Sequence, residues 1–227
     1  MAARSEWSSV FERFPAGRVP IAGPIGIFVH DWSKPEDGHP QLFDHPALEL
    51  VTTAHPRLVA SVYSTAALGL VVWSVRSGLD ATTIVTRAVL GVVIWSLTEY
   101  LIHRYAFHFV PRSRFGVAVA YLSHGVHHAY PRDPHRLVLP LVVSLPITGA
   151  LFTGAVFAGA WAIPWLAGFT VGYLVYDLIH YRIHTYDARS GVFKWLRLYH
   201  FQHHFAVPDR QFGVSTPVWD YVFRTGR

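Results

Sequence analysis

The sequence predicts an all-α, integral-membrane protein: four transmembrane helices in two hairpins under a helical, histidine-rich cytoplasmic cap. Three observations predict it. Apolar residues make up 52% of the 227 positions and charged ones only 15%, too little charge for an ordinary soluble domain. Uncharged stretches long enough to cross a bilayer recur along the chain. Histidine is over-represented, with 15 copies against no cysteine.

Residues 1–57 read as an N-terminal cytoplasmic or interfacial segment, and 58–227 as a single membrane-embedded domain. Arg4, Glu6, Glu12 and Arg13 interrupt the start, and the apolar stretch Ile21 to Val29 is short and broken by Gly23, Pro24 and Gly26. No secretory signal is expected there, so insertion relies on internal helices. Trp7, Val10, Phe11 and Phe14 share one helical face, which fits a helix on the bilayer surface or one packed on the protein's own cap equally well.

The uncharged run Leu58 to Val75 just suffices, at about 1.5 Å per residue, to cross a hydrocarbon core of ~30 Å. A second span runs from Leu79 to Leu101. Arg87 near its start can snorkel, whereas Glu99 near its end is costly and requires a partner. From Leu137 to Tyr176 there is no charged residue; this is length for two spans, with the turn at Gly159 to Pro164. Four crossings put the N-terminus, the middle loop and the C-terminal tail on one side. Those segments hold almost all the Lys and Arg, so that side is expected to be cytoplasmic. The net charge of +5 and pI near 9.6 are scattered between apolar runs with no dense basic stripe, which argues against a nucleic-acid partner.

Without cysteine there are no disulfides, iron–sulfur clusters or thiolate-ligated haem, and any metal falls to nitrogen or oxygen ligands. Ten histidines form four clusters: His103 and His108; His124, His127 and His128; His180 and His184; His200, His203 and His204. All lie at the ends of spans or in segments on the predicted cytoplasmic side. His180 and His184, four apart, project from one helical face, and HxxHH places its first histidine above both others. The offset of five between His103 and His108 fits an α-helix poorly and predicts a helix end, kink or bulge.

One tetrahedral zinc needs at most four protein ligands, so ten converging imidazoles fit two ions. Two redox-active ions can activate dioxygen, and zinc can occupy the same site on overexpression because it generally binds N/O ligands more tightly than ferrous iron. His30, His39, His45, His55 and His135 stand outside any repeated pattern and read as ordinary hydrogen-bonded side chains. Metal-bound histidines usually give their other ring N–H to a carboxylate or carbonyl, so Glu99, Asp177 and Asp220 are candidate supports, Asp177 foremost because it stands three residues before His180. Tyr176, Tyr181 and Trp219 read as membrane-belt aromatics rather than catalytic groups.

The motifs EYLIHRYAFH (Glu99 to His108), HGVHH (His124 to His128), YDLIHYRIH (Tyr176 to His184) and YHFQHHF (Tyr199 to Phe205) resemble the fatty acid hydroxylase branch of the fatty acid hydroxylase and sterol desaturase superfamily. The tail FGVSTPVWDYVFRT, Phe212 to Thr225, is similar to that of the fatty acid 2-hydroxylases in particular, and the likeness covers somewhat over half the chain. The resemblance implies a di-iron site ligated by all ten clustered histidines, and dioxygen-dependent hydroxylation of a lipid acyl chain at its 2-position, free or in a ceramide. Many eukaryotic members carry a fused haem domain that this chain has no room for. The expectation is therefore a separate electron donor, a b-type cytochrome or a ferredoxin with its reductase, and a bacterial inner membrane. Sterol, sphingoid-base or carotenoid hydroxylases and desaturases share the histidine pattern and stay open. A metal transporter would instead line a path through the membrane with histidines, and a zinc hydrolase would work without dioxygen.

Overall fold

The computed structural model describes residues 6, 7 and 9–226; Arg4, counted above against a secretory signal, lies outside them. Four helices are long and apolar enough to cross a membrane: α3 (Pro56–Arg76), α4 (Ala81–Leu101, prolonged to Phe107 by a π-helical turn), α7 (Leu141–Ala158) and α8 (Ile163–Thr185, preceded by the 3-10 turn Ala160–Ala162). Their ends carry the expected signals. His55 caps α3 by accepting from the Arg57 N–H at 3.2 Å, with Pro56 in the first turn, and Asp80 caps α4 by accepting from the Thr83 N–H at 3.0 Å. Gly159 closes α7 at φ +101°, where a side chain would be strained. Arg87 donates to the Trp161 carbonyl at 2.7 Å and lies over its ring, tying α4 to the α7–α8 turn.

Among the four, α8 is central: 61% of its apolar stretch is enclosed by protein against 11% for α7. It packs chiefly on α4 and α3, while sequence-adjacent helices touch little. The α4–α8 approach is close enough that backbones meet. A Cβ on Gly168 would lie 1.8 Å from the Ala88 carbonyl oxygen, and one on Gly91 2.1 Å from that of Trp165. Small residues spaced along one face permit this approach, as in other membrane helix pairs.

The expectation of an all-α chain is corrected in the N-terminal segment. Residues Gly17–Ala22 (β1) and Ile25–Val29 (β2) form an antiparallel hairpin, pairing Gly17 with Val29 and Ala22 with Ile25. The glycines and proline that break any helix at Ile21 to Val29 are turn residues: Gly23 takes φ +53° at the hairpin tip, beside Pro24. Among the described residues, only the four of α1 (Val10–Arg13) are helical before it. Trp7 and Val10 are buried in a cluster with Ile27, Trp32, Val117 and Tyr121, so this segment packs on the protein's own cap, the second of its two readings. Short helices complete the cap: α2 (Pro46–Val51), α5 (Arg114–Ala120), α6 (Val126–Ala129), α9 (Gly191–Phe205) and α10 (Val218–Val222).

Candidate metal centre

The HRYAFH segment does not continue as α-helix. Past Leu101 the chain enters a π-helical turn over Ile102–Phe107, and the His108 N–H donates to the His103 carbonyl at 3.2 Å. A π-turn closes i→i+5 bonds, so it brings residues five apart onto one side. A second π-turn, Tyr121–Gly125, precedes α6 and carries His124, leaving His127 and His128 on α6. His180 and His184 end α8, and His200, His203 and His204 end α9.

All ten are buried, and they sort into two groups of five. His103, His108, His124, His128 and His203 form one; His127, His180, His184, His200 and His204 form the other. In each, one nitrogen per ring lies within 4.8 Å of all the rest. Every HxxHH box is divided. Its i,i+4 pair serves one group and its middle histidine serves the other. The His124 ring is close to both His127 and His128, at 5.3 and 4.8 Å between centroids, as the shared helical face predicts. The ligand atoms nonetheless part, because adjacent residues on a helix point about 100° apart. The groups adjoin: the rings of His128 and His204, one from each, stack with centroids 4.1 Å apart.

The donor set fits metal ions on its own chemistry. Nε2 atoms face one another at 3.0 Å between His103 and His124, His127 and His180, and His200 and His204, and at 3.1 Å between His108 and His203 and between His128 and His124. A neutral imidazole has one donor and one acceptor nitrogen, and five such rings cannot satisfy each other around one point; a cation that takes their lone pairs can. Among the described residues, neither ring nitrogen of buried His184 makes a well-formed hydrogen bond, although the Pro131 carbonyl lies near the ring. Burial pulls the His203 imidazole down to about 4, opposed by its hydrogen bond to the Arg210 carbonyl. It holds His108, His128, His200 and His204 well below the usual histidine range, helped by neighbouring imidazoles. Uncharged rings are what metal ligation requires.

Three backbone carbonyls orient the rings. Phe212 O meets His103 Nδ1 at 2.5 Å, Arg210 O meets His203 Nδ1 at 2.6 Å, and Leu137 O meets His180 Nδ1 at 3.0 Å. Each leaves Nε2 free to ligate. The three carboxylates expected to do this work make other bonds. Asp177 accepts from the Tyr173 hydroxyl at 3.2 Å. Glu99 accepts from the Val214 and Ser215 N–H groups and the Ser215 hydroxyl, while Asp220 accepts from the N–H groups of Phe212 and Gly213 and from the Thr225 hydroxyl. Carbonyl partners were not legible in the sequence, since every residue has one.

The side chains lining the centre include one that no motif marks. Trp7 lies against His108 and His128, with ring centroids 4.2 and 4.8 Å away, and Trp32 and Phe11 back it. Tyr176 stacks on His180 at 5.8 Å, and Trp219 donates to the Ser96 hydroxyl at 3.0 Å. The five other histidines have structural partners. His45 and His55 cap helices, His30 meets the Tyr130 hydroxyl at 2.9 Å, His39 meets Asp133 at 2.7 Å, and the His135 ring packs edge-on against His39 while its backbone N–H donates to Asp133.

A family model described as fatty acid hydroxylase matches residues 88–225. The chain is 38% identical over 133 residues to the dihydroceramide fatty acyl 2-hydroxylase FAH2 of Arabidopsis thaliana, covering 57% of this chain and 55% of that protein. It is 34% identical to FAH1 of the same plant, covering 70% and 69%, and 36% identical to the human fatty acid 2-hydroxylase, covering 57% and 36%. The match thus spans about half of the first of these relatives and a third of the human protein. A solved structure titled full-length scs7p, with only its hydroxylase domain visible, superposes with a TM-score of 0.78 at 29% identity over 87% of this chain and 76% of that one.

Proposed function

The chain belongs to the fatty acid hydroxylase family, and from that premise we propose that it is an integral-membrane monooxygenase that hydroxylates a lipid acyl chain at the 2-position, free or within a ceramide-type lipid. The observation that carries the proposal is the division of ten buried histidines into two adjoining groups of five, four of them at the ends of two helices fit to span a membrane and six on the cap elements packed against them. Each group would hold one iron ion. The pair would supply dioxygen activation: one oxygen atom would enter a C–H bond, and the other would leave as water, with two protons from solvent and two electrons delivered singly by a separate b-type cytochrome or ferredoxin. All ten histidines are proposed ligands.

The rest of the chain supplies geometry. Backbone contact between α4 and α8 at Gly91 and Gly168 fixes the relative placement of His103 and His180. Trp7 and Trp32 close the centre on the cap side and exclude water. A lipid whose headgroup is held at the cap would present a fixed carbon to the centre, so depth sets the position of the new hydroxyl. The Lys and Arg flanking the spans support a cytoplasmic placement of the termini, the cap and the centre, and the proposed organisation is two hairpins, α3–α4 and α7–α8, in a single domain over 58–227. Relatives named for 2-hydroxylation of dihydroceramide and fatty acids favour this substrate class over sterols or carotenoids.

Expression in a host without hydroxylated lipids, beside a His203→Ala control, tests the reading. Hydrolysed acyl chains should carry oxygen at the 2-position only with the intact protein. Oxygen or a double bond elsewhere would move the substrate to a sibling activity.

A further inference from the structure

The two histidine groups rest on different supports. Both carbonyls that orient histidines of the first group, Phe212 O for His103 and Arg210 O for His203, belong to the C-terminal segment. The carbonyl that orients a histidine of the second group is Leu137 O, from the segment leading into α7. The C-terminal segment in turn is held by two buried carboxylates, which between them accept from four consecutive backbone N–H groups. Asp220 takes those of Phe212 and Gly213 at 2.9 and 2.8 Å, and Glu99 of α4 takes those of Val214 and Ser215 at 2.8 and 2.9 Å. Thr225 closes the loop, its hydroxyl donating to Asp220 at 2.8 Å and its carbonyl accepting from the Gln211 N–H at 2.9 Å.

Among the described residues neither carboxylate is hydrogen-bonded to a histidine, yet the loop has no alternative way to satisfy those four donors once buried. Its shape is tightly constrained: Gln211 sits at φ +59°, and a Cβ at Gly213 would lie 2.1 Å from the Thr216 carbonyl oxygen. If the grip is lost, the Phe212 carbonyl moves off His103, and that ring is free to turn or change tautomer. The second group keeps its helix ends and its Leu137 contact.

We propose that Glu99 and Asp220 are positioning residues for the first group alone: the docked C-terminal segment completes the metal site of His103, His108, His124, His128 and His203, while the site of His127, His180, His184, His200 and His204 forms without it. This rests on the two-ion reading above. It predicts a chain whose two ions differ in how they are lost, the tail-supported one first.

The test is iron retained per full-length chain in detergent, titrated with a chelator and read beside helical content by circular dichroism. Wild type should hold two ions. Asp220→Asn should keep its helical content and release one ion at a chelator concentration about 10–100-fold lower, the usual effect of losing an outer support. In that background His184→Ala should remove the remaining ion and His108→Ala should not. Should Asp220→Asn fail to fold, Ser215→Ala, which removes one hydroxyl contact to Glu99, carries the test with a smaller shift in the same single ion. Two ions released together, or both retained as in wild type, would overturn the inference while leaving the two-ion reading standing. A wild type holding fewer than two would sink that reading itself.

Discussion

His127 and His128 are consecutive in sequence, but their rings lie 6.0 Å apart at 77° and their donor nitrogens serve different groups of five. His203 and His204 are divided in the same way. Each box therefore fastens the two groups to each other as well as contributing imidazoles to both. Single variants His127→Ala and His128→Ala should each weaken the binding of a different ion, and the double variant should weaken both. Metal-to-protein ratios of the three variants check this. Loss of the same ion from both single variants would contradict the division.

Close packing of α4 on α8 makes a second prediction. Gly168→Ala would drive a methyl group to 1.8 Å from the Ala88 carbonyl, backbone that cannot yield as a side chain would. We expect the helices to separate and stability to fall by about 3 kcal/mol or more, beyond the usual range for overpacking. Gly149→Ala on α7 meets nothing within 4 Å and should be neutral or stabilising by about 1 kcal/mol. Thermal unfolding in detergent distinguishes them.

Arg136 is buried and donates to Glu49, to the Thr52 carbonyl and hydroxyl and to the Pro40 carbonyl, with Asp133 at 3.4 Å. Glu49 also accepts from the N–H groups of Leu42 and Phe43 at 2.9 Å each. Glu49→Ala leaves a buried guanidinium short of a partner, a change worth about 3 kcal/mol. A lowered midpoint of thermal unfolding, with reduced binding at the second group because Leu137 follows Arg136, is the expected outcome.

The five histidines outside the two groups should be dispensable for metal. His45→Ala and His55→Ala remove helix caps and should cost about 1 kcal/mol each, with iron content unchanged. Iron analysis of a variant carrying both substitutions checks the distinction.

What the sequence made legible was whatever depends on side-chain type and period. The four spans, Glu99 as a carboxylate needing partners, and the separation of ten clustered histidines from five capping or hydrogen-bonded ones all follow from spacing and burial cost. The offset of five between His103 and His108 foretold a distortion, realised as a π-turn. Three features stayed hidden for physical reasons. The division of each HxxHH box depends on where other helices bring their rings. The carbonyls of Phe212, Arg210 and Leu137 carry no residue signature. Trp7 reaches His108 across about a hundred positions of sequence, and nothing local announces so distant a contact. The hairpin of β1 and β2 was visible only as a short apolar stretch broken by Gly23, Pro24 and Gly26, because its strands are short and do not alternate cleanly between apolar and polar residues.

Isotope tracing is the sharpest test of dioxygen-dependent oxygenation by a pair of histidine-bound ions. Purified protein reconstituted with iron, a chemical or protein reductant and an acyl lipid is supplied with oxygen-18 gas in ordinary water, and the product is analysed by mass spectrometry. One heavy oxygen atom is expected at the 2-position of the acyl chain, with no product from His203→Ala or under strict anaerobiosis. Product oxygen derived from water, or turnover without dioxygen, would contradict that chemistry.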